Sequence, residues 1–183
     1  RRSTPQNRSS RPPRTRLMII NRYSTAAPAM IKRCTLLDHN GWLPLRAALW
    51  PDSTADASHE IQTILSTPER YLVLVFTDET GNALGFAEAS IRTDYVNGTH
   101  SSPVAFLEGL CVQPDSRGQG IARQLVAGVE QWAGEMGCTE LASDALVDNE
   151  GSHKMHEALG FEETERVVYF LKGLGDSLRR KSR

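Results

Sequence analysis

Hydrophobic and polar positions fall into two repeating patterns along this chain. The runs 71-YLVLVFTD-78, 83-ALGFAEASIRT-93 and 104-VAFLEGLCV-112 have strand length, and the first and last are strongly apolar, so they predict three strands. The first two are joined by Glu79-Thr80-Gly81-Asn82, a hairpin signal. Over 120–137, Ile121, Leu125, Val129 and Trp132 recur along one stripe, which predicts an amphipathic helix. Shorter segments complete the order: a strand at 31–35, helices at 38–50 and 56–66 (with Asp56 as N-cap), a strand at 139–144, a helix at 149–160 and a last strand at 161–171. The series β-α-α-β-β-β-α-β-α-β predicts one mixed α/β domain.

Composition changes the picture mainly at the ends. Residues 1–29 carry seven Arg and no acid, with little apolar content beyond 17-LMII-20. This cannot build a core, so we read it as a disordered basic leader or extension. Residues 173–183 form a short basic tail, leaving 30–172 as the domain. The formal net charge of −1 therefore conceals an acidic body, with nine bases against 21 acids in 30–171. Such a body disfavours nucleic acid and makes small polycations the natural partners to consider, although from charge alone plain solubility is the better account. No apolar run reaches the ~18 residues needed to span a bilayer. Cys34, Cys111 and Cys138 lack metal-ligand spacing and suit a reducing compartment, so we expect a cytoplasmic protein without metal.

Candidate chemistry begins at 115-DSRGQGIARQLV-126, where Gly118 and Gly120 lead straight into the long helix. It is neither a GxGxxG turn nor one ending in GK[ST]. Arg117 and the amides of Gly118, Gln119, Gly120, Ile121, Ala122 and Arg123 would form a nest at a helix N-terminus, suited to a pyrophosphate. Alone, a glycine turn before a helix is often only a turn. In context, 110-LCVQPDSRGQGIARQLV-126 resembles the acyl-CoA signature of the GNAT acetyltransferase superfamily: V-x-P, then R-x-x-G-x-A at Arg117, Gly120 and Ala122. The stretch 149-NEGSHKMHEALGF-161 resembles a second element of that superfamily. The resemblance covers roughly 30–171. It implies a mixed, mostly antiparallel central sheet flanked by helices, with a splayed strand pair holding acetyl-CoA. The amides of Leu110 and Val112, flanking Cys111, would meet the pantetheine or thioester, and Asn149 the cofactor amide.

Five further segments, 49-LWPDS-53, 88-EASIRTDYVNG-98, 102-SPVAFLEGL-110, 142-ASDA-145 and 160-GFEETERVVYF-170, are similar to the aminoglycoside 6'-N-acetyltransferases of the chromosomal type. This resemblance implies acetyl transfer to the 6'-amine of a cationic aminoglycoside, commonly by a homodimer. Trp50 and Tyr95 would wall the sugar rings, Glu108, Asp144 and Glu165 would hold ammonium groups, and Ser53 would stand at a variable polar contact.

Each of these residues also has an ordinary use. Trp50 could be a core residue, Tyr95 loop packing, Asp144 a turn cap, and Glu165 a solvated carboxylate. Glu108 is the hardest to explain away, because a carboxylate inside an apolar strand costs desolvation unless it meets a cation or a donor. Attack by an ammonium requires loss of a proton, so Glu108 or Asp144 is the candidate base, direct or through water. Cys111 has no activating partner in view, which favours direct transfer in a ternary complex over an acyl-enzyme. For the leaving thiolate, His156 stands where the superfamily has Tyr, and Tyr169 lies further on. His156 could equally be an unremarkable edge histidine. The alternative functions are acetylation of another amine, such as a polyamine or a protein N-terminus, and acyl-CoA sensing without catalysis.

Overall fold

A computed structural model describes residues 30–36, 41–51 and 57–173. Ser53, Asp56, the basic leader and the tail beyond Gly173 lie outside the described residues. The elements are β1 (Met30–Arg33), α1 (Trp42–Leu49), α2 (Ala57–Ser66), β2 (Tyr71–Thr77), β3 (Ala83–Arg92), β4 (Val104–Val112), α3 (Ile121–Glu135), β5 (Leu141–Ser143) and α4 (Glu150–Leu159). One sheet has the order β1-β2-β3-β4-β5, antiparallel throughout except for the parallel β4–β5 pair.

The β2–β3 hairpin turns at Asp78, whose carboxylate accepts from the amides of Thr80 and Asn82 and from both of their side chains. Because strand side chains alternate, β2 and β3 present two faces. Leu72, Leu74, Phe76, Ala87, Ala89 and Leu107 pack under α3 against Ile121, Leu125, Val126, Val129 and Trp132. Val73, Val75 and Phe86 pack on the opposite face against Trp42, Leu45 and Ile64 of α1 and α2.

Two irregularities position the site. The β3–β4 register passes from Glu88↔Gly109 to Ala89↔Leu107, so Glu108 has no partner and forms a β-bulge. In addition, β4 pairs with β5 only from Ala105 to Leu107, and residues 108–112 diverge from it. This is the splayed pair expected from the sequence.

One expectation is corrected. Residues 161–171 form no strand and run without regular structure along the surface. Among the described residues the edge strand on that side, β5, has three residues, too short to template a ladder, and Glu163 instead pairs with Arg166 within its own segment.

Candidate functional site

The bulge at Glu108 determines the site. On β4, Leu107 and Leu110 belong with the α3 face, whereas Gly109 and Cys111 face α1, so Glu108 and Gly109 both turn toward α1. Two successive side-chain positions on one face are what a bulge produces. Gly109 allows the Trp50 indole to lie against the backbone, since a Cβ there would come within 2.4 Å of the ring. The Arg46 guanidinium lies over the same indole, 4.9 Å from the ring centroid. Trp50 is thus clamped in place.

Trp50 and Glu108 are shared by two cavities. The larger, about 720 Å³, lies between α1, α2 and the sheet and includes Glu60, Tyr71 and Glu88. The smaller, about 200 Å³, occupies the gap between β4 and β5 and brings in Gly109, Leu110, Asp144, Asn149 and His156. Trp50, Glu108 and Asp144, which the resemblance assigns to one acceptor site, line one cavity. Tyr95 and Glu165 do not line it. Both are exposed on a neighbouring surface, where Thr164 packs against Gly98.

The carboxylates differ in their surroundings. Glu108 accepts from Ser90 Oγ at 2.5 Å and from Arg92 Nη2 at 2.9 and 2.8 Å. Asp144 is exposed and forms no hydrogen bond or ion pair among the described residues. Glu88, buried at 4% exposure, is paired with Arg46 Nε at 3.1 Å, and Arg46 also reaches Glu60 at 2.9 Å. Burial pushes the Glu88 carboxyl up, and the charge of Arg46 pulls it back. Arg46, Glu88, Ser90 and Arg92 were missed in the sequence. The signal for Glu88 was present: like Glu108, it interrupts an apolar strand and so calls for a cation.

The gap also carries groups that fit a thioester cosubstrate. The Gln113 amide donates to the Leu84 carbonyl of β3 at 2.8 Å. Alternate amides of an antiparallel ladder point to opposite sides, so those of Val112 and Leu110 face the gap. Gly118 and Gly120 have φ of 76° and 78°, left-handed values that favour glycine, and open space surrounds both. Gly120 caps α3 without a side-chain acceptor, leaving the first-turn amides of Ile121, Ala122 and Arg123 available to an anion. Arg117 donates to the Val112 carbonyl at 3.1 Å, and Arg123 to the Ala158 carbonyl of α4 at 2.7 Å. Asn149 caps α4 through Oδ1, which leaves its Nδ2 to donate.

His156 is held in the same gap. Its Nδ1 lies 2.8 Å from the Ser152 carbonyl, which can only accept, and Nε2 lies 3.0 Å from Ser143 Oγ. Tyr169 is exposed outside the cavity. Burial raises the Cys111 thiol, against a smaller lowering by Arg117, so the thiolate needed for acyl transfer is disfavoured. Among the described residues, no group of three or more His, Cys, Asp or Glu side chains could hold a metal ion, and no helix is long and apolar enough to cross a membrane.

A family model described as acetyltransferase (GNAT) matches residues 37–161. The chain belongs to the GNAT acetyltransferase family. Within it, an aminoglycoside N(6')-acetyltransferase type 1 from Acinetobacter baumannii is 54% identical over 134 residues, 73% of this chain and 91% of the relative. Another from Stenotrophomonas maltophilia is 47% identical over 145 residues, 79% and 94% of the two chains. Among solved structures, AAC(6')-Iy in complex with the bisubstrate analogue CoA-S-monomethyl-acetylneamine superposes with a TM-score of 0.75 at 43% identity, covering 80% of this chain and 99% of that one. The aminoglycoside 6'-N-acetyltransferase AAC(6')-Ih from Acinetobacter baumannii gives 0.75 at 48% identity, with the same coverage.

Proposed function

We propose that this GNAT enzyme transfers the acetyl group of acetyl-CoA to the 6'-amine of aminoglycosides, and so confers resistance to them, with Asp144 as base and Glu108 as the acceptor that orients the amine. The observation that carries this reading is the meeting of Trp50, Glu108 and Asp144 where the β4–β5 gap opens. A ring walled by Trp50 would present its amine to the gap, in which the thioester lies along Leu110 and Val112.

In this reading Asp144, directly or through one water, takes a proton from the ammonium, and the freed nitrogen attacks the thioester carbonyl. The new C–N bond forms, a β4 amide stabilises the oxyanion, and collapse breaks the C–S bond. The nitrogen gives up its second proton as the C–S bond breaks, and His156, whose Nδ1–H is held by the Ser152 carbonyl and whose Nε2 faces Ser143, is the group placed to accept that proton and pass it to the departing thiolate. The pyrophosphate would rest on the amides of Gly118 to Arg123, and Asn149 Nδ2 would donate to the pantetheine arm. Ser53 is proposed as a polar contact to the acceptor.

We further propose a homodimer. Val167, Val168, Tyr169, Phe170 and Leu171 are 46–98% exposed, an apolar run that water disfavours and a second copy would cover. Tyr95 and Glu165 would then complete the rim of the cleft. The reading places the reaction in the cytoplasm, where thiols such as Cys111 and Cys138 stay reduced.

Thiol release with acetyl-CoA tests the acceptor. Kanamycin A, with a 6'-amine, is expected to turn over, and paromomycin, with a 6'-hydroxyl, is not. Asp144→Asn is expected to lower kcat by roughly 10²–10⁴-fold. Turnover of polyamines but not of kanamycin A would overturn the reading in favour of another amine, and Asp144→Asn with unchanged kcat would remove Asp144 from the base role.

A further inference from the structure

The mechanism above leaves one strong interaction unused. Arg92 meets Glu108 at three N–O distances: Nε to Oε1 at 3.2 Å, Nη2 to Oε1 at 2.9 Å and Nη2 to Oε2 at 2.8 Å. Ser90, buried at 3% exposure, adds a donor to Oε1. Oε1 therefore has three donors and Oε2 has one. A carboxylate oxygen offers about two lone-pair sites, so Oε1 is saturated and Oε2 keeps one site open.

The backbone explains why these groups converge. Ser90 and Arg92 lie two residues apart on β3 and so share a face. The bulge turns Glu108 toward that same face without giving it a β3 partner of its own. Arg92 is fixed in turn by Phe106, with the guanidinium carbon 3.4 Å from the ring centroid and Phe106 itself buried. Phe106, Arg92 and Ser90 thus form a rigid frame for one carboxylate that lines both cavities.

We infer that Arg92 is a positioning and specificity-determining residue for the amino acceptor: with Ser90, it locks Glu108 so that only Oε2 is offered to the substrate, and it cancels the carboxylate charge. Glu108 then selects by hydrogen-bond direction rather than by net charge, so it rewards a correctly placed ammonium donor over a cation that merely enters the cleft. The inference rests on the aminoglycoside reading of the site.

Steady-state kinetics on the full chain test it. Arg92→Lys keeps the charge but loses the two-pronged donor geometry. Its KM for kanamycin A is expected to rise about tenfold, with kcat within about twofold of the wild type and KM for acetyl-CoA unchanged. Ser90→Ala, which removes a single donor, is expected to raise the same KM about threefold. In a Glu108→Gln background, Arg92→Lys is expected to add little, because both changes act through the same carboxylate. An unchanged KM in Arg92→Lys, an equal rise in the Glu108→Gln background, or a parallel rise in KM for acetyl-CoA overturns the inference while leaving the functional reading intact. Wild-type enzyme that releases no thiol with any 6'-amino aminoglycoside overturns the functional reading, and the inference with it.

Discussion

The sheet face under α3 and the face under α1 and α2 are built from the same strands, residue by alternate residue, yet the buried polar strand residues Glu88 and Ser90 both lie on the second, together with Arg46, Arg92 and Glu108. On the α3 face a 15-residue helix closes over the strands. On the other, two short helices leave cavities, and the buried charges gather beside them. Burying a charge costs several kcal/mol unless it is paired, and a paired charge seldom repays the cost. The difference suggests that the second face gives up packing in exchange for a polar surface that a cationic acceptor can use.

The largest effect on stability is expected from Arg46→Ala. Loss of the guanidinium strands Glu88 in the interior, at a cost of about 3–5 kcal/mol in urea unfolding. The pH dependence carries a sign as well. Burial raises the Glu88 carboxyl, and in the variant no cation pulls it back, so the native state binds the extra proton and stability falls as pH rises through the raised value. The double variant Arg46→Met/Glu88→Leu sharpens the comparison. It is expected to recover most of the stability but to show a KM for aminoglycoside above that of the wild type, because Trp50 has lost the guanidinium over its ring. A double variant as unstable as Arg46→Ala alone would mean that the pair serves the fold rather than the cleft.

On the opposite face, Leu125→Ala removes a fully buried side chain between α3 and the sheet and is expected to cost about 2–5 kcal/mol, with kcat and KM unchanged when assayed below the lowered melting transition. A specific rise in KM would show that the two faces are not independent.

The same contrast explains what could be read from the chain. The α3 face was legible, because strand alternation and the Ile121–Leu125–Val129–Trp132 stripe each follow a single period. The glycine turn before α3 was legible, since the left-handed conformations of Gly118 and Gly120 leave few other residues possible, while its reading as a cofactor site came from the family resemblance. Glu108 stood out as a charge in an apolar strand, but its partners did not. Arg92 and Ser90 reach it only because the bulge adds one residue to β4, and no periodic pattern announces a bulge. Residues 161–171 read as a strand from composition alone, but a strand also requires an edge to pair with, and among the described residues the edge strand β5 offers three residues there.

The smallest effect lies far from both faces, at the β2–β3 turn. Donation from the Thr80 hydroxyl, with further donation from Asn82 and both amides, holds the exposed Asp78 carboxyl down to about 2. A carboxyl lowered on folding contributes stability that is present above its unfolded value near 4 and is lost as pH falls toward about 2. Asp78→Ala should therefore be less stable than wild type at neutral pH, and the gap between their urea midpoints should close as the solution is taken from pH 5 to pH 2. Asp78→Asn keeps an oxygen for the amides of Thr80 and Asn82, so it should retain part of the neutral-pH stability without the pH dependence. Midpoints of wild type and Asp78→Ala that remain equally far apart across that range would mean that turn geometry, rather than the ionised carboxylate, supports the hairpin.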